Sequence, residues 1–151
     1  MASGSILCSM DEMNRLLVDA SFLISAIRSC DSNHIVCYSF FQNQDENTRW
    51  VVPTIAYFEY QASQSRLRRE GKKAYRDLYI PNVEVLEIST DLIRKTAELD
   101  LANVFDSLRG ADLVYACVAR IEGIPLVTCD RHFEKYRDLI TVINPVYDRT
   151  K

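Results

Sequence analysis

The chain has 151 residues, of which 26% are charged and 48% are apolar, as in ordinary globular domains. This length favours one domain with a core large enough to fold without disulfides or a structural metal. The longest apolar run, 113–119, is too short to cross a bilayer, and residues 1–14 lack the features of a signal peptide. We therefore expect a cytoplasmic protein without a membrane association. The net charge of −3 does not by itself indicate nucleic-acid binding.

The five cysteines are an odd number without a Cys-x-x-Cys pair, which argues against a secreted disulfide framework. Cys30, His34 and Cys37 bring three soft ligands together, but a structural zinc site normally has four ligands in recognisable pairs. We therefore expect reduced cysteines that are buried or incidental.

Strands and helices alternate along the first half of the chain. The proline at position 53 ends a strand, because it cannot donate to a central ladder, and Thr54 is suited to cap the next helix. The predicted elements are a strand at 15–19, a helix from position 21, a helix at 33–42, a strand at 50–53 and a helix at 54–69.

The alternation continues to the C-terminus. The predicted elements are a short helix at 72–78, a strand at 83–88, a helix from 89 or 90 to about 101, a helix from 112 to the glycine at 123, and strands at 124–130 and 139–143. This order predicts a single α/β domain at 15–147, a three-layer α/β/α sandwich with a mainly parallel central sheet. Residues 1–14 are interpreted as a loose leader and residues 148–151 as a tail.

Four acids fall where predicted strands end or predicted helices begin. Asp19 and Asp130 follow two apolar strands, Asp112 begins a helix, and Glu59 lies in the second turn of another. The carboxyl ends of parallel strands share one edge of a sheet, so these acids converge if the first and fourth strands are neighbours. Glu59 joins them only if its helix leans over that edge. The alternative is that each acid is simply a cap or a turn residue.

Acids gathered in this way would repel one another unless a cation lay between them. Oxygen ligands suit Mg²⁺ or Mn²⁺, and such an ion can activate water and stabilise charge on a phosphate under attack. Ser21 and Thr128 each lie two residues from an acid and are candidates to bind a metal-bound water or a phosphate oxygen.

Basic residues are concentrated between positions 66 and 76, where only Glu70 opposes them. They could hold a phosphate backbone, but composition alone slightly favours a solvated helix face. Arg131 is a further candidate because a guanidinium matches phosphate geometry. For His132 we favour a surface histidine and for Tyr115 a core position. The candidate RNA-binding residues are Arg66, Arg68, Arg69, Lys72, Lys73, Arg76 and Arg131.

The segments that carry the four acids resemble the PIN-domain family of metal-dependent ribonucleases, in particular the small VapC-type toxins. The segments are LVDAS at 17–21, PTIAYFE at 53–59, GADLVYA at 110–116 and PLVTCDRHF at 125–133. Together they extend the resemblance over nearly the whole chain, from about 15 to 145. The stretch before Asp19 is longer than in many toxins, and 33–49 is more polar.

The resemblance implies that Asp19, Glu59, Asp112 and Asp130 hold one or two Mg²⁺ or Mn²⁺ ions and that the protein cleaves RNA. It also implies a homodimer and, for a toxin, a protein antitoxin that binds near the site. Aromatic residues at 40–41 and 57–60 could form that surface, although core packing is the more common role of such residues. The alternative function is a catalytically inactive PIN-like module that binds RNA or protein.

Overall fold

The central sheet has five parallel strands in the order β3-β2-β1-β4-β5. The structure is a computed structural model that describes residues 14–75, 78 and 80–150. The strands in this part of the chain are β1 (Arg15–Val18), β2 (Arg49–Pro53), β3 (Val83–Leu86), β4 (Leu126–Val127) and β5 (Val142–Ile143). The predicted α/β fold with a parallel sheet is confirmed.

Helices connect the strands, as parallel pairing requires. The described α-helices are α1 (Ala20–Ile27), α2 (His34–Gln42), α3 (Thr54–Arg69), α4 (Thr90–Glu98), α5 (Leu101–Val104) and α6 (Gly110–Glu122). Two 3₁₀ helices follow at Arg131–Tyr136 and Asp148–Thr150. None of the helices in the described ranges is long and apolar enough to span a bilayer.

Strand β1 lies at the centre of the sheet, between β2 and β4. Leu17 is in register with Val51 on one side and Leu126 on the other, and all three side chains are fully buried. Strands covered on both faces are continuously apolar, which is the pattern seen here. The register also pairs Val18 with Val127, so the residues that follow β1 and β4 lie side by side.

Several predicted boundaries were wrong. The described residues of the predicted helix at 72–78 are not helical. Helix α3 ends at Arg69, and Gly71, just after its C-cap Glu70, has a left-handed φ of 73°. The predicted helix from 89 or 90 to about 101 is divided in two by Asp100, which has a φ of 53°. The 3₁₀ helix Arg131–Tyr136 was not predicted, and β4 and β5 are shorter than expected.

The two ends of the chain were predicted to lie outside the domain. Residues 1–13 lie outside the described residues, so their predicted role as a leader is untested. At the other end, Asp148 accepts hydrogen bonds from the Arg137 guanidinium at 2.8 Å and from the Asn144 backbone at 3.0 Å. These contacts connect the last described turn to the end of the sheet.

Candidate metal centre

Asp19 is a buried carboxylate at the point where β1 becomes α1. Only 2% of the residue is exposed, and it is the N-cap of α1, accepting a hydrogen bond from the Phe22 amide at 2.9 Å. Its oxygens also accept from the hydroxyls of Ser21 at 2.7 Å and Thr128 at 2.5 Å. Asp19 is therefore a helix cap, and it is also held in one orientation by two side chains.

Burial raises the pKa of Asp19 to about 6, although the three hydrogen bonds lower it and the Asp130 charge adds to the increase. The carboxylate has no basic partner among the described residues that contact it. A cation at this position would compensate for its burial.

Hydroxyl groups connect the ends of β1 and β4. The Ser21 hydroxyl accepts from the Cys129 amide at 3.1 Å, and the Thr128 hydroxyl accepts from the Asp130 amide at 2.9 Å. Both hydroxyls donate to Asp19. In this structure Ser21 and Thr128 position Asp19 and the loop that carries Asp130, while a role toward water or phosphate stays a prediction.

The His132 imidazole lies between Asp112 and Asp130 and contacts both carboxylates. The His132 Nδ1 atom lies 3.1 Å from Asp112 and 3.2 Å from Asp130, and one potential ligand atom from each residue falls within 4.8 Å of the others. The hydrogen bond to Asp112 and the charge of Asp130 raise the pKa of His132. The imidazole lies between two acidic groups, where a cation would also be attracted.

His132 lies within the acidic cluster, and this position was not predicted from the sequence. The residue is exposed, as expected of a surface histidine, with 69% of its side chain accessible. The available signal was its position two residues after Asp130, at the start of the 3₁₀ helix that the sequence analysis also missed.

Glu59 reaches the same region from α3. It hydrogen-bonds with the Tyr115 hydroxyl, and burial and the Asp112 charge raise its pKa. The same hydroxyl accepts from the Ala20 amide at 3.3 Å. Tyr115 is one turn after Asp112 on α6, and its ring is buried as predicted while its hydroxyl connects Glu59 to the start of α1. Charge interactions thus link Asp19 with Asp130 and Glu59 with Asp112. Of the four predicted acids, only Asp112 and Asp130 belong, with His132, to the group that has metal-binding spacing among the described residues.

The predicted basic residues that the structure describes lie in separate surroundings. Arg66, Arg68 and Arg69 are exposed in the last turn of α3, where they also complement the helix dipole. Lys72 forms an ion pair with Glu70 at 2.9 Å. Lys73 lies 5.4 Å from the centre of the Tyr75 ring, and Arg131 lies 4.3 Å from that of Tyr147. Arg76 lies outside the described residues.

The three soft ligands at 30–37 lie in different surroundings. Cys30 is exposed, the fully buried Cys37 contacts Cys129, and His34 Nδ1 lies 2.9 Å from the Ser25 carbonyl. Among the described residues, metal-binding spacing of three or more His, Cys, Asp or Glu side chains is found at Asp112, Asp130 and His132, and not at 30–37.

Comparison with known families agrees with this arrangement. The family model described as PIN domain matches residues 16–139, which span all four acids. The chain belongs to the PIN-domain family. The predicted resemblance is therefore confirmed. No curated protein matches the chain by sequence.

Solved structures of VapBC, VapC and FitAB proteins have the same fold. The VapBC2 complex of Rickettsia felis, bound to a promoter DNA fragment, matches with a TM-score of 0.63 and 20% identity over 86% of this chain and 98% of that one. Mycobacterium tuberculosis VapC20, a toxin that cleaves the sarcin-ricin loop, matches with a TM-score of 0.59 and 16% identity, covering 80% and 94%. FitAcB of Neisseria gonorrhoeae matches with a TM-score of 0.60 and 14% identity, covering 87% and 99%.

The ionisation of Asp19 gives a pH-dependent prediction for the metal-free protein. Its pKa rises from 3.8 to about 6 on folding, so folding is favoured most below pH 4 and this advantage is lost as the pH rises to 6. This difference in pKa corresponds to roughly 3 kcal/mol. Asp19→Asn removes this ionisation, and the free energy of unfolding of the variant minus that of wild type should increase between pH 4.5 and 7.5.

Urea denaturation with a chelator at both pH values measures this difference. Asp91→Asn is the matched control, because Asp91 is an exposed acid in the first turn of α4. A difference between Asp19→Asn and wild type that does not change with pH would show that burial does not perturb Asp19.

Proposed function

We propose that the chain is a divalent-metal-dependent endoribonuclease that hydrolyses RNA phosphodiester bonds, and that it is the toxin of a toxin-antitoxin pair. The observation that supports this proposal is the cluster of Asp112, Asp130 and His132 in a PIN domain, with neighbouring acidic charge contributing to the raised pKa values of Asp19 and Glu59. VapC20, which has the same fold, is a toxin that cleaves the sarcin-ricin loop, and this supports the proposed activity.

The donor set fits Mg²⁺ or Mn²⁺, since carboxylate oxygens dominate it. Asp19, Asp112 and Asp130 would hold the ion, and Glu59 would complete the site from the α3 side. The raised pKa values of Asp19 and Glu59 are those of carboxylates that lack compensating charge. When bound, the ion would supply Lewis acidity toward the scissile phosphate and its attacking water.

The residues of the chain would position the reacting groups. Ser21 and Thr128 fix the orientation of Asp19, and Tyr115 fixes Glu59 against α1. Glu59 is partly exposed and has a raised pKa, so its carboxylate is suited to accept a proton from the attacking water.

RNA would be held by the exposed cations near the end of α3 and by Arg131. Each phosphate contact releases counterions, so binding through these residues depends on salt concentration. Lys72 is paired with Glu70 and Arg131 lies over the Tyr147 ring, but both cations are exposed. A bound phosphate could therefore replace these partners.

A protein antitoxin is the proposed partner, and the related VapBC and FitAB structures are complexes. Of the aromatic residues predicted for this surface, Phe58 is 75% exposed, whereas Tyr60 is fully buried and Phe41 packs against Trp50. Phe58 on α3 is therefore our candidate contact for an antitoxin. A homodimer stays a prediction, and analytical ultracentrifugation would test it by measuring the mass of the protein in solution.

Asp112→Asn should abolish cleavage while leaving the fold intact, because it removes a charge from the metal centre and little volume. We expect a loss of at least about 100-fold, as for other groups that position catalytic charge. The measurement is cleavage of a mixed single-stranded RNA with Mg²⁺, Mn²⁺ or chelator. Asp91→Asn, which makes the same change on α4, should retain activity.

Wild-type activity in Asp112→Asn would eliminate the four-acid site. Absence of cleavage by wild type in either metal, together with absence of metal binding in calorimetry, would favour the alternative of a non-catalytic PIN-like module. Metal binding without cleavage would mean that the RNA mixture lacks the target sequence or structure.

Charge reversal at Lys72 and Lys73 should weaken RNA binding and reduce its dependence on salt. Each lost phosphate contact lowers the slope of log affinity against log salt by about 0.7 for single strands. The measurement is fluorescence anisotropy of labelled RNA from 50 to about 200 mM salt, a range in which such contacts dominate. Arg94→Glu with Lys95→Glu, on α4, gives the same charge change as a control. Equal affinity and slope in wild type and the Lys72 and Lys73 variant would identify the basic segment as solvated surface.

A further inference from the structure

Two free cysteines contact each other beside the metal centre. The Sγ atoms of Cys37 on α2 and Cys129 on the loop after β4 lie 3.1 Å apart. A disulfide has an S–S distance of about 2.05 Å, so the sulfurs need to approach by only about 1 Å. The two residues are 92 positions apart in the chain, and the fold alone brings them together.

We propose that Cys37 and Cys129 are a reversible oxidation site, which a peroxide converts into a disulfide between α2 and the loop of the metal centre. The proposal rests on the geometry of the two thiols and does not depend on nuclease activity. Disulfides of intracellular proteins are usually of this transient, redox-sensing type rather than structural.

The two thiols differ in access. Cys37 is fully buried in the core, whereas Cys129 is partly exposed and lines an open cleft of about 520 Å³ together with Ser21, Asp130 and His132. An oxidant in this cleft meets Cys129 first. Cys37 is not accessible to an oxidant in the cleft. Its sulfur lies next to that of Cys129, so it is positioned to react with Cys129 once Cys129 is oxidised.

The reaction takes place in two steps that consume one hydrogen peroxide. The Cys129 sulfur attacks a peroxide oxygen, an S–O bond forms as the O–O bond breaks, and water leaves with the thiol proton. The Cys37 sulfur then displaces the hydroxyl from Cys129, an S–S bond replaces the S–O bond, and a second water leaves with the Cys37 proton. The two sulfurs together lose the two electrons that reduce the peroxide.

Contact with Cys37 and burial raise the pKa of Cys129 above its ordinary value. The same contact lowers the pKa of Cys37. The thiolate is the reactive form, so we expect the first step, at Cys129, to be slower than in a dedicated peroxide sensor. The test therefore uses excess peroxide and extended incubation.

The crosslink would act on the loop that positions the site. Cys129 lies between Thr128 and Asp130, and its amide donates to Ser21 at 3.1 Å. A covalent bond from this position to Cys37, the buried residue of the otherwise largely exposed α2, would restrict the ends of both β1 and β4. It would also close a long loop in the unfolded chain, which stabilises the folded state.

The experiment treats the full chain with hydrogen peroxide, alkylates the remaining thiols and maps peptides by mass spectrometry. We expect a linked peptide containing Cys37 and Cys129, lighter than the two reduced peptides by two hydrogen atoms and separated by dithiothreitol. The oxidised protein should melt several degrees higher than the reduced protein. Reduced Cys37 and Cys129 after treatment, or a bond from Cys129 to Cys30, would overturn the proposal.

Variants test the order of the two steps. In Cys37→Ser, oxidation should stop at a sulfenic acid on Cys129, which dimedone traps, and the increase in melting temperature should be lost. In Cys129→Ser, Cys37 should stay reduced. Cys117→Ser is the control, because this buried cysteine has no thiol partner among the described residues and its loss should leave the crosslink unchanged. Crosslinking that survives in either Cys37→Ser or Cys129→Ser would contradict the assignment.

Discussion

The parallel pairing of β1 with β4 is the constraint on which the site depends. It places Val18 beside Val127, so that Asp19 and Thr128 leave the sheet as neighbours. The Thr128 hydroxyl then donates to Asp19, and its oxygen accepts from the Asp130 amide. Without this register the acids after the two strands would lie in unrelated loops. The apolar side chains that bury both faces of the strands maintain it.

The stability of the fold and the chemistry of the site oppose each other at Asp19. A buried carboxylate without a basic partner destabilises the folded protein when it ionises, and this is the reason that its pKa is raised. Three hydrogen bonds offset only part of this cost. A neutral polar residue such as asparagine or serine could cap α1 equally well. Binding of a metal ion therefore accounts for an acid at position 19 better than the stability of the fold does.

The sequence was sufficient to predict the fold class, which follows from the alternation of strands and helices, whereas a site shared by all four acids stays a prediction. The structure does connect the ends of β1 and β4, since Thr128 donates to Asp19 and accepts from the Asp130 amide. Asp19 and Asp130 directly follow apolar runs, and the parallel sheet determines where such residues meet. The break at Asp100 was not predictable, since a left-handed backbone at an aspartate has no strong local signal. His132 was missed because its contact with Asp112 depends on a short 3₁₀ helix and on α6, which is distant in sequence.

We propose that Asp19, Glu59, Asp112 and Asp130 together hold one divalent ion. The most direct measurement is calorimetric titration of Mn²⁺ into wild type, Asp19→Asn, Asp112→Asn and the double variant. If both carboxylates bind the same ion, each single substitution should weaken binding at least about tenfold, and the double variant should lose much less than the sum of the two free-energy changes. Additive losses, or single variants that bind as wild type does, would contradict a shared site.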